Sequence, residues 1–185
     1  MIEVASLALP EVRLITPPRH GDARGWLMET WRESLWREFG VPGPFVQDNQ
    51  SFSAAAGTLR GLHCQVAPAV QGKLVRVLHG AIWDVAVDAR AGSPNFGRHV
   101  AAMLSAANGA QLWVPPGFLH GFCTLEPETE VAYKCTAEYD RAAERGVRWD
   151  DAALAIPWPV GPEQAILSEK DRLLPGFAAA RTWFP

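Results

Sequence analysis

The residues of this chain with the clearest chemical potential lie around one histidine, His63, in the segment 60–65 with the sequence RGLHCQ. The segment 71–88 follows it and contributes Lys73 together with two acidic side chains. An imidazole has an unperturbed pKa near ~6.5, so it can take and return a proton at neutral pH. A nearby ammonium group can stabilise negative charge that develops on an oxygen. This combination favours proton abstraction next to a carbonyl, although a single histidine among the five of this chain is more often structural than catalytic.

The composition is typical of one globular domain with a substantial core, which we predict over residues 1–185. Hydrophobic residues make up 48% of the chain and charged residues 20%, with a formal net charge of -3. Because Lys and Arg are not clustered, the sequence argues against nucleic acid or a membrane surface as a partner. The chain has no basic leader and no apolar run long enough to span a bilayer, which predicts a cytoplasmic protein.

The cysteines agree with a cytoplasmic location. Cys64, Cys123 and Cys135 are odd in number, far apart and without the spacing of a metal site, so we expect reduced, buried thiols. Cys64 is the neighbour of His63, but adjacent residues of a strand point to opposite faces. The sequence therefore argues against a nucleophilic pair of cysteine and histidine.

Two kinds of element must position these residues. A helix is predicted over 31–39, because Thr30 opens the pattern of a capping box and Gly40 fits the helix end. Its apolar stripe begins with Trp31 and Leu35. Almost everything after it alternates with period two between turns rich in Gly and Pro, which indicates an antiparallel sandwich or barrel of the jelly-roll type. We predict strands at 45–53, 58–65, 73–79, 81–88, 97–104, 111–114, 120–125 and 130–136.

Alternation sorts the side chains of two predicted strands by face. On 81–88, Asp84 shares its face with apolar residues, so it points inward only if that face lines a polar pocket. On 130–136, the apolar neighbours of Tyr133 aim its hydroxyl into the same interior as His63, provided that both faces are inner ones. A core tyrosine with a satisfied hydroxyl is an equally good interpretation of this position.

Specific strings occur at 21–25 (GDARG), 45–49 (FVQDN), 59–63 (LRGLH), 71–77 (QGKLVRV), 83–88 (WDVAVD), 111–122 (QLWVPPGFLHGF), 133–136 (YKCT), Glu144 and 167–171 (LSEKD). In this order and spacing the chain resembles the dTDP-4-dehydrorhamnose 3,5-epimerase family. The resemblance implies a mainly β, cupin-like double-stranded β-helix, or jelly roll, with one short N-terminal helix and short C-terminal helical turns. It also implies a homodimer without metal or cofactor. Its substrate would be a dTDP-4-keto-6-deoxyhexose, epimerised at C3, C5 or both for dTDP-L-rhamnose or a related deoxysugar.

The resemblance implies catalytic roles for four residues. His63 would be the base that removes the proton next to the C4 ketone, and Tyr133 the acid that returns one from the other face of the ring. Lys73 would stabilise the enolate oxygen, and Asp171 would orient His63. Segment 168–171 is by itself a capping box that opens a short helix, so Asp171 has a structural interpretation as well.

Further positions match substrate contacts of the family. Arg24, Arg60 and Lys170 match contacts to the nucleotide and its phosphates, and Tyr139 matches the aromatic ring that stacks on thymine. Polar contacts are matched by Glu29, Gln47, Asp48, Asn49, His120 and Glu144. In this family the N-terminal segment reaches the partner's site, so Arg24 and Glu29 are expected to act across a homodimer interface.

One of these positions conflicts with simple alternation. Arg60 and His63 are three residues apart on the same predicted strand, which places them on opposite faces. Either Gly61 therefore sits in a β-bulge, or Arg60 acts at the rim of the site.

The residues alone leave two other classes of function possible. Segment 109–120 fits the second cupin pattern, in which the histidine at the place of His120 ligates a metal. A metal oxygenase also needs a His-x-His pair, which this chain lacks, so His120 is better interpreted as a substrate-pocket or structural residue. The other alternative is a non-catalytic jelly roll that binds nucleotide sugars. Such a protein needs the arginines and the stacking ring, but no base and acid on opposite faces.

Three positions depart from the family pattern. Cys64 stands where a tyrosine is common, His20 where an aromatic residue usually precedes Gly-Asp, and Trp26 where phenylalanine is common. Cys64 changes the volume beside His63, so it bears on substrate fit and on which carbon is inverted. An enzyme that inverts C3 or C5 alone is therefore a further alternative, because the same base and acid would serve it.

Overall fold

The computed structural model describes residues 1–184, which are mainly β-strand. The strands are β1 (Glu3–Ser6), β2 (Arg13–Thr16), β3 (His20–Asp22), β4 (Gly25–Leu27), β5 (Gln47–Ser53), β6 (Leu59–Gln65), β7 (Lys73–His79), β8 (Ala81–Asp88), β9 (His99–Ser105), β10 (Gln111–Val114), β11 (Phe118–Thr124), β12 (Thr129–Cys135) and β13 (Glu144–Gly146). The helices are α1 (Glu33–Glu38), α2 (Glu169–Arg172) and a 3₁₀ helix (Phe177–Thr182). None of these helices is long and apolar enough to cross a membrane.

Two antiparallel sheets form the body of the fold. The first has six strands in the order β1-β2-β10-β7-β12-β5, and the second has five in the order β13-β6-β11-β8-β9. Strands β3 and β4 form a separate hairpin. Side chains from the two sheets meet in one buried cluster, which includes Val75 of β7, Ile82 of β8, Leu112 of β10 and Phe122 of β11. Two packed antiparallel sheets around this core, with short helices near both ends of the chain, confirm the predicted jelly roll.

The period-two pattern predicts the interior strands well. The predicted strands 73–79, 81–88 and 111–114 agree residue for residue with β7, β8 and β10. The other predicted strands are present with ends displaced by one or two residues, because pairing partners decide where a ladder stops. The pattern does not predict β1 to β4 or β13. These strands have only three or four residues, and β1, β3 and β4 are exposed along their whole length.

The N-terminal helix, α1, is shorter than predicted. Arg32 is its N-cap and no side chain caps it, so the capping box predicted at Thr30 is wrong. The carbonyl of Thr30 accepts a hydrogen bond from the side chain of Gln111 at 3.1 Å, which holds this segment against β10 instead of in a helical turn. Trp36, outside the predicted stripe, is the buried residue of the helix. Gly40 follows the helix end, as predicted, with a φ of 80°.

A second apolar cluster covers the outer face of the five-stranded sheet. Leu62 and Cys64 of β6 and Val85 of β8 pack there against Val147 and Leu154 from the C-terminal part of the chain. Cys64 therefore points away from the space between the sheets, as alternation predicts. Burial raises the pKa of its thiol to about 12, so the thiol is protonated at neutral pH.

Candidate active site

The side chains that the sequence predicts to act together line one cavity of about 480 Å³. Its walls are formed by β5, β7 and β12 of the first sheet, β6 and β11 of the second, and the segment 166–171. Of the predicted residues it contains Arg60, His63, Lys73, His120, Tyr133, Lys170 and Asp171. The jelly roll thus gathers residues that are distant in the chain, since His63 and Asp171 are 108 positions apart.

His63 and Asp171 form a hydrogen-bonded pair in this cavity. Nε2 of His63 lies 2.7 Å from Oδ1 of Asp171, and only 6% of the Asp171 side chain is exposed. Burial by itself would raise the pKa of Asp171, but the hydrogen bond and charge of His63 lower it, so the carboxylate is ionised at neutral pH. Because Nε2 is engaged, the other ring nitrogen, Nδ1, is left to accept a proton from a ligand.

Asp171 forms hydrogen bonds within helix α2 as well as with His63. The hydroxyl of Ser168 accepts a hydrogen bond from the backbone N–H of Asp171 at 3.1 Å, which caps the helix. The carboxylate of Asp171 bonds His63, and hydrogen bonds from Ser168 and the backbone of Gly61 also lower its pKa. Segment 168–171 therefore opens a short helix as its local pattern predicts, and the side chain of Asp171 is placed to hold the imidazole.

Lys73 of β7 points into the same cavity and forms no ion pair within the described residues. Lys134 and Lys170 each pair with a carboxylate, whereas Lys73 has no such partner within residues 1–184. Burial lowers the pKa of Lys73, and the neighbouring Cys135 partly opposes this shift. A half-buried ammonium group without a fixed counter-ion is suited to stabilise a negatively charged oxygen of a ligand.

Tyr133 enters the cavity from the wall opposite His63. It lies on β12 of the six-stranded sheet, between Val75 of β7 and Asn49 of β5, whereas His63 lies on β6 of the five-stranded sheet. Burial raises the pKa of the Tyr133 phenol, and the nearby charge of Arg60 offsets this only in part, so the hydroxyl is protonated at neutral pH. An imidazole on one sheet therefore faces a protonated phenol on the other, across one cavity.

A β-bulge in β6 turns Arg60 towards the cavity. Arg60 of β6 pairs with Phe122 of β11, and His63 pairs with His120. The interval between the two pairs is three residues on β6 but only two on β11. The backbone at Gly61 has a φ of 124°, and a Cβ there would come within 2.6 Å of Gly121. Of the two alternatives for Arg60, the bulge is therefore present, and only glycine fits it. Nη2 of Arg60 donates to the carbonyl of Phe52 at 3.1 Å, which ties the side chain to β5.

A smaller recess of about 170 Å³ adjoins the cavity and shares part of its lining. Its predicted members are His63, Lys73, Tyr133, Gln47, Asn49, Tyr139 and Glu144. Glu144 connects the two spaces, because it accepts a hydrogen bond from the Tyr139 hydroxyl at 2.9 Å and pairs with Nζ of Lys170 at 2.5 Å. Tyr139 is 55% exposed, so its ring presents a flat face at the mouth of the recess.

His120 is held by a carboxylate that the sequence does not assign to it. Nε2 of His120 lies 2.7 Å from Oδ1 of Asp84, whose side chain is fully buried. Burial raises the pKa of Asp84, and His120 opposes this shift. Alternation on β8 predicts that Asp84 points inward only if its face lines a polar pocket. Its partner is not deducible from that strand, because the pairing of β8 with β11 brings the two together.

Two predicted binding residues lie outside the cavity of their own chain. Arg24 is at the tip of the β3-β4 hairpin, where its side chain is 90% exposed and pairs with Asp22 at 2.5 Å. Glu29 lies after the hairpin and pairs with Arg32 at 3.0 Å on the surface. Their placement leaves both side chains available to a second molecule.

The structure does not bring Asp48 into the cavity either. Asp48 lies on the outer face of β5, where its carboxylate accepts a hydrogen bond from Nζ of Lys134 at 2.9 Å. Its neighbours Gln47 and Asn49 face the recess. Successive residues of a strand alternate, so the segment 47–49 cannot turn all three side chains to one ligand.

In the part of the chain that the structure describes, no set of side chains fits the alternative of a metal site. No group of three or more His, Cys, Asp or Glu side chains in residues 1–184 is arranged to hold a metal ion. His120, at the ligand position of metal-dependent cupins, has Asp84 as its partner. The structure therefore places His120 as a polar member of the cavity wall.

Known proteins are similar to this chain over nearly its whole length. The family model dTDP-4-dehydrorhamnose 3,5-epimerase matches residues 6–179. The dTDP-4-dehydrorhamnose 3,5-epimerase of Sinorhizobium fredii is 52% identical over 170 residues, which are 92% of this chain and 87% of that protein. The crystal structure of dTDP-6-deoxy-D-glucose-3,5-epimerase from Legionella pneumophila, in complex with dTDP-4-keto-L-rhamnose, has a TM-score of 0.91 at 42% identity. The match covers 96% of this chain and 94% of that chain.

A 3'-monoepimerase is similar as well. The structure of this enzyme from Streptomyces bikiniensis, in complex with dTDP-quinovose, has a TM-score of 0.86 at 32% identity and covers 94% of this chain and 87% of that chain. The family model covers nearly all of the chain, and the fold agrees with solved members over the same span. The chain therefore belongs to the dTDP-4-dehydrorhamnose 3,5-epimerase family.

Proposed function

We propose that the protein is an isomerase that epimerises a dTDP-4-keto-6-deoxyhexose at C3 and C5, for the synthesis of dTDP-L-rhamnose or a related deoxysugar. One observation carries the proposal: the His63–Asp171 pair and Tyr133 face the same cavity from opposite sheets, and Lys73 of β7, the strand next to that of Tyr133, lies in the same lining. The substrate class follows from the names and ligands of the relatives. The proposal takes residues 1–185 as one epimerase domain, which the extent of the family match supports.

His63 acts as the base in this proposal. Asp171 accepts the hydrogen bond from Nε2–H, so Nδ1 takes the proton from the carbon next to the C4 ketone. The C–H bond breaks, its electron pair forms a carbon–carbon double bond to C4, and negative charge appears on the C4 oxygen. The ionised carboxylate of Asp171 then stabilises the imidazolium that results.

Lys73 and Tyr133 complete the reaction. The Lys73 ammonium group stabilises the C4 oxygen while it carries negative charge. Tyr133 donates its phenolic proton to the same carbon from the opposite face of the ring, which inverts the centre and restores the ketone. The phenolate regains a proton from solvent and His63 releases one to solvent, so the cycle ends with both groups as they began.

The remaining cavity residues bind the nucleotide. Arg60 and Lys170 are cations at the cavity and are assigned to the diphosphate. Tyr139 presents its exposed ring to thymine. Polar contacts to the substrate are assigned to Gln47, Asn49, His120 and Glu144.

The protein acts as a homodimer in this proposal, and the hairpin 20–27, called the arm below, reaches the cavity of the partner. Every residue of the arm is exposed, including the large apolar side chains of Trp26 and Leu27. Arg24 at its tip is a cation without a role in its own cavity. A second copy of the chain would cover the apolar residues and receive Arg24 and Glu29 at the nucleotide.

Heterodimers test this exchange of arms. We expect a heterodimer of an Arg24→Ala chain with a His63→Ala chain to recover about half the wild-type rate, because one of the two sites in a symmetric dimer is then complete. The chains are co-expressed with different tags, purified by both tags and assayed below the wild-type KM. Each parent homodimer lacks either the base or the arm contact at both of its sites.

The matched control places both substitutions in one chain and pairs it with a wild-type chain. If the arm acts in the partner's site, this heterodimer is impaired, because the only site with His63 receives the altered arm. High activity of the control together with low activity of the first heterodimer would show that each arm serves its own chain.

Proton NMR in heavy water tests the proposed function itself. Incubation with dTDP-4-keto-6-deoxyglucose should replace the hydrogens at C3 and C5 with deuterium and yield the epimerised sugar. Exchange at one carbon alone would assign the protein to the monoepimerases, an alternative that is considered because the chain is also similar to the Streptomyces bikiniensis enzyme. Tight binding without exchange would favour a non-catalytic binding protein.

The proposed chemistry needs no metal, and chelation tests this. Prolonged dialysis against EDTA is expected to leave kcat and KM unchanged within about twofold, because a base, an acid and an ammonium group supply every step. Loss of activity with recovery on adding a divalent cation would instead favour the metal-dependent alternative.

The cytoplasm is the proposed location. The three cysteines are free and buried, which is consistent with a reducing compartment.

A further inference from the structure

The arm has few contacts with the barrel from which it extends. Its two strands pair with each other, and all residues from 20 to 27 are exposed. The contacts that set its direction must therefore lie at its base. Arg19, the residue immediately before β3, makes the most specific of these contacts.

Arg19 joins the arm to the turn between β9 and β10. Its Nη1 donates to the carbonyl of Ala107 at 2.7 Å, and its Nη2 donates to the carbonyl of Ala106. The turn is a firm anchor, because Oδ1 of Asn108 accepts a hydrogen bond from the backbone N–H of Ala110 at 2.9 Å. One guanidinium group thus binds two adjacent carbonyls with the fixed geometry that arginine provides.

The same guanidinium group contacts the returning strand of the arm. Cζ of Arg19 lies 4.3 Å from the centre of the Trp26 ring, a cation–π arrangement. Gly109 leaves room for this contact, since a Cβ there would lie 3.2 Å from Nη2 of Arg19 and 3.4 Å from Sδ of Met28. Arg19 therefore touches the barrel on one side and β4 on the other.

We infer that Arg19 is a positioning residue that fixes the direction of the arm and so determines where Arg24 meets the partner's cavity. This inference rests on the proposed exchange of arms. The tip lies about 10 Å beyond Arg19, at roughly 3.4 Å for each residue of an extended strand. A rotation of about 10° at the base displaces the tip by about 2 Å, whereas a binding group has to be placed within about 0.5 Å.

Kinetics of three variants provide the first test. Arg19→Met loses both carbonyl contacts and is expected to raise KM for the nucleotide sugar about tenfold with kcat within about twofold, because the arm binds substrate without taking part in proton transfer. Arg19→Lys keeps the charge but not the two-pronged geometry, so its KM should lie between those of Arg19→Met and the wild type. Arg98→Met is the control, because Arg98 is exposed and has one long contact of 3.4 Å to Asn95.

The heterodimers described above separate a positioning role from a general structural one. Arg19→Met is added either to the His63→Ala chain, which donates the working arm, or to the Arg24→Ala chain, which holds the working site. We expect the recovered rate at low substrate to fall about tenfold in the first case and to stay unchanged in the second.

An equal effect in both cases, or no effect in the first, would overturn the role of Arg19 while leaving the exchange of arms intact. Absence of recovery in the parent heterodimer would overturn the exchange of arms, and the role of Arg19 with it. Thermal unfolding of each homodimer shows whether a change in rate reflects loss of folded protein.

Discussion

Replacement of His63 by alanine is expected to lower turnover by about 10²- to 10⁴-fold, the usual contribution of a positioned base. No other group is placed to replace it, because Tyr133 is protonated and lies on the opposite wall, and Nε2 of His120 is engaged by the fully buried Asp84. Isotope exchange should fall together with epimerisation, since removal of the substrate proton is the first step of both. Single-turnover NMR in heavy water measures the two rates in one sample.

His63→Ala should fold nearly as well as the wild type, since 28% of the His63 side chain is exposed and its one hydrogen bond is to Asp171. The loss of that bond costs about 1–3 kcal/mol, because it removes the His63 partner of a nearly buried carboxylate that keeps hydrogen bonds to Ser168 and the backbone of Gly61. The matched control is His79→Ala, at an exposed histidine that contacts a backbone carbonyl in a turn, and it should retain full turnover. Near-normal turnover of folded His63→Ala would contradict the assignment of the base.

The strands that form the cavity could be predicted from the sequence because they are short apolar segments between turns. On β7, Val75 and Val77 are buried in the core between the sheets, and Leu74 is buried on the other face in a separate cluster, so the sequence defines the strand, but burial alone does not define its inner face. The arm shows no such pattern, because every residue of its two strands is exposed. A strand without a buried face has no periodic alternation of apolar and polar residues in its sequence.

Two residues of one strand that line the same cavity show where alternation fails as a guide. Alternation separates Arg60 from His63, and the bulge at Gly61, set by the close approach of Gly121, reunites them. The resemblance to the family groups Asp48 with its neighbours, and alternation places it on the other face. Local geometry of this kind depends on the neighbouring strand, which the sequence of one strand does not contain.

The helix α1 and the Asp84 carboxylate show the same dependence on distant parts of the chain. The local sequence predicts a capping box at Thr30. Instead, the side chain of Gln111 on β10 donates a hydrogen bond to the Thr30 carbonyl, and the helix begins at Glu33. Asp84 is buried because His120 of the adjacent strand bonds to it. In both cases a tertiary hydrogen bond decides the outcome, and the partner lies more than thirty positions away.

Replacement of Tyr133 by phenylalanine is expected to separate exchange from epimerisation. His63 and Lys73 remain, so the substrate proton is still removed. The imidazolium then exchanges this proton for deuterium from solvent and returns the deuterium to the same face. Inversion requires a donor on the opposite face, and phenylalanine has no proton to give, so epimerisation should fall by about 10²-fold or more while exchange falls much less. In wild-type enzyme each inversion carries one deuterium, whereas the variant should accumulate deuterated substrate of unchanged configuration.

The change at Tyr133 is small in structural terms, which makes the result decisive. Phenylalanine keeps the ring between Val75 and Asn49, and removal of a hydroxyl that faces a cavity costs on the order of 1 kcal/mol of stability. Tyr139→Phe, at the other tyrosine of the chain, removes the hydrogen bond to Glu144 and should affect binding, but it should leave the ratio of exchange to epimerisation unchanged. If Tyr133→Phe instead lowered both rates equally, the proton donor would have to be sought elsewhere in the cavity, and the assignment of base and acid to opposite walls would be wrong.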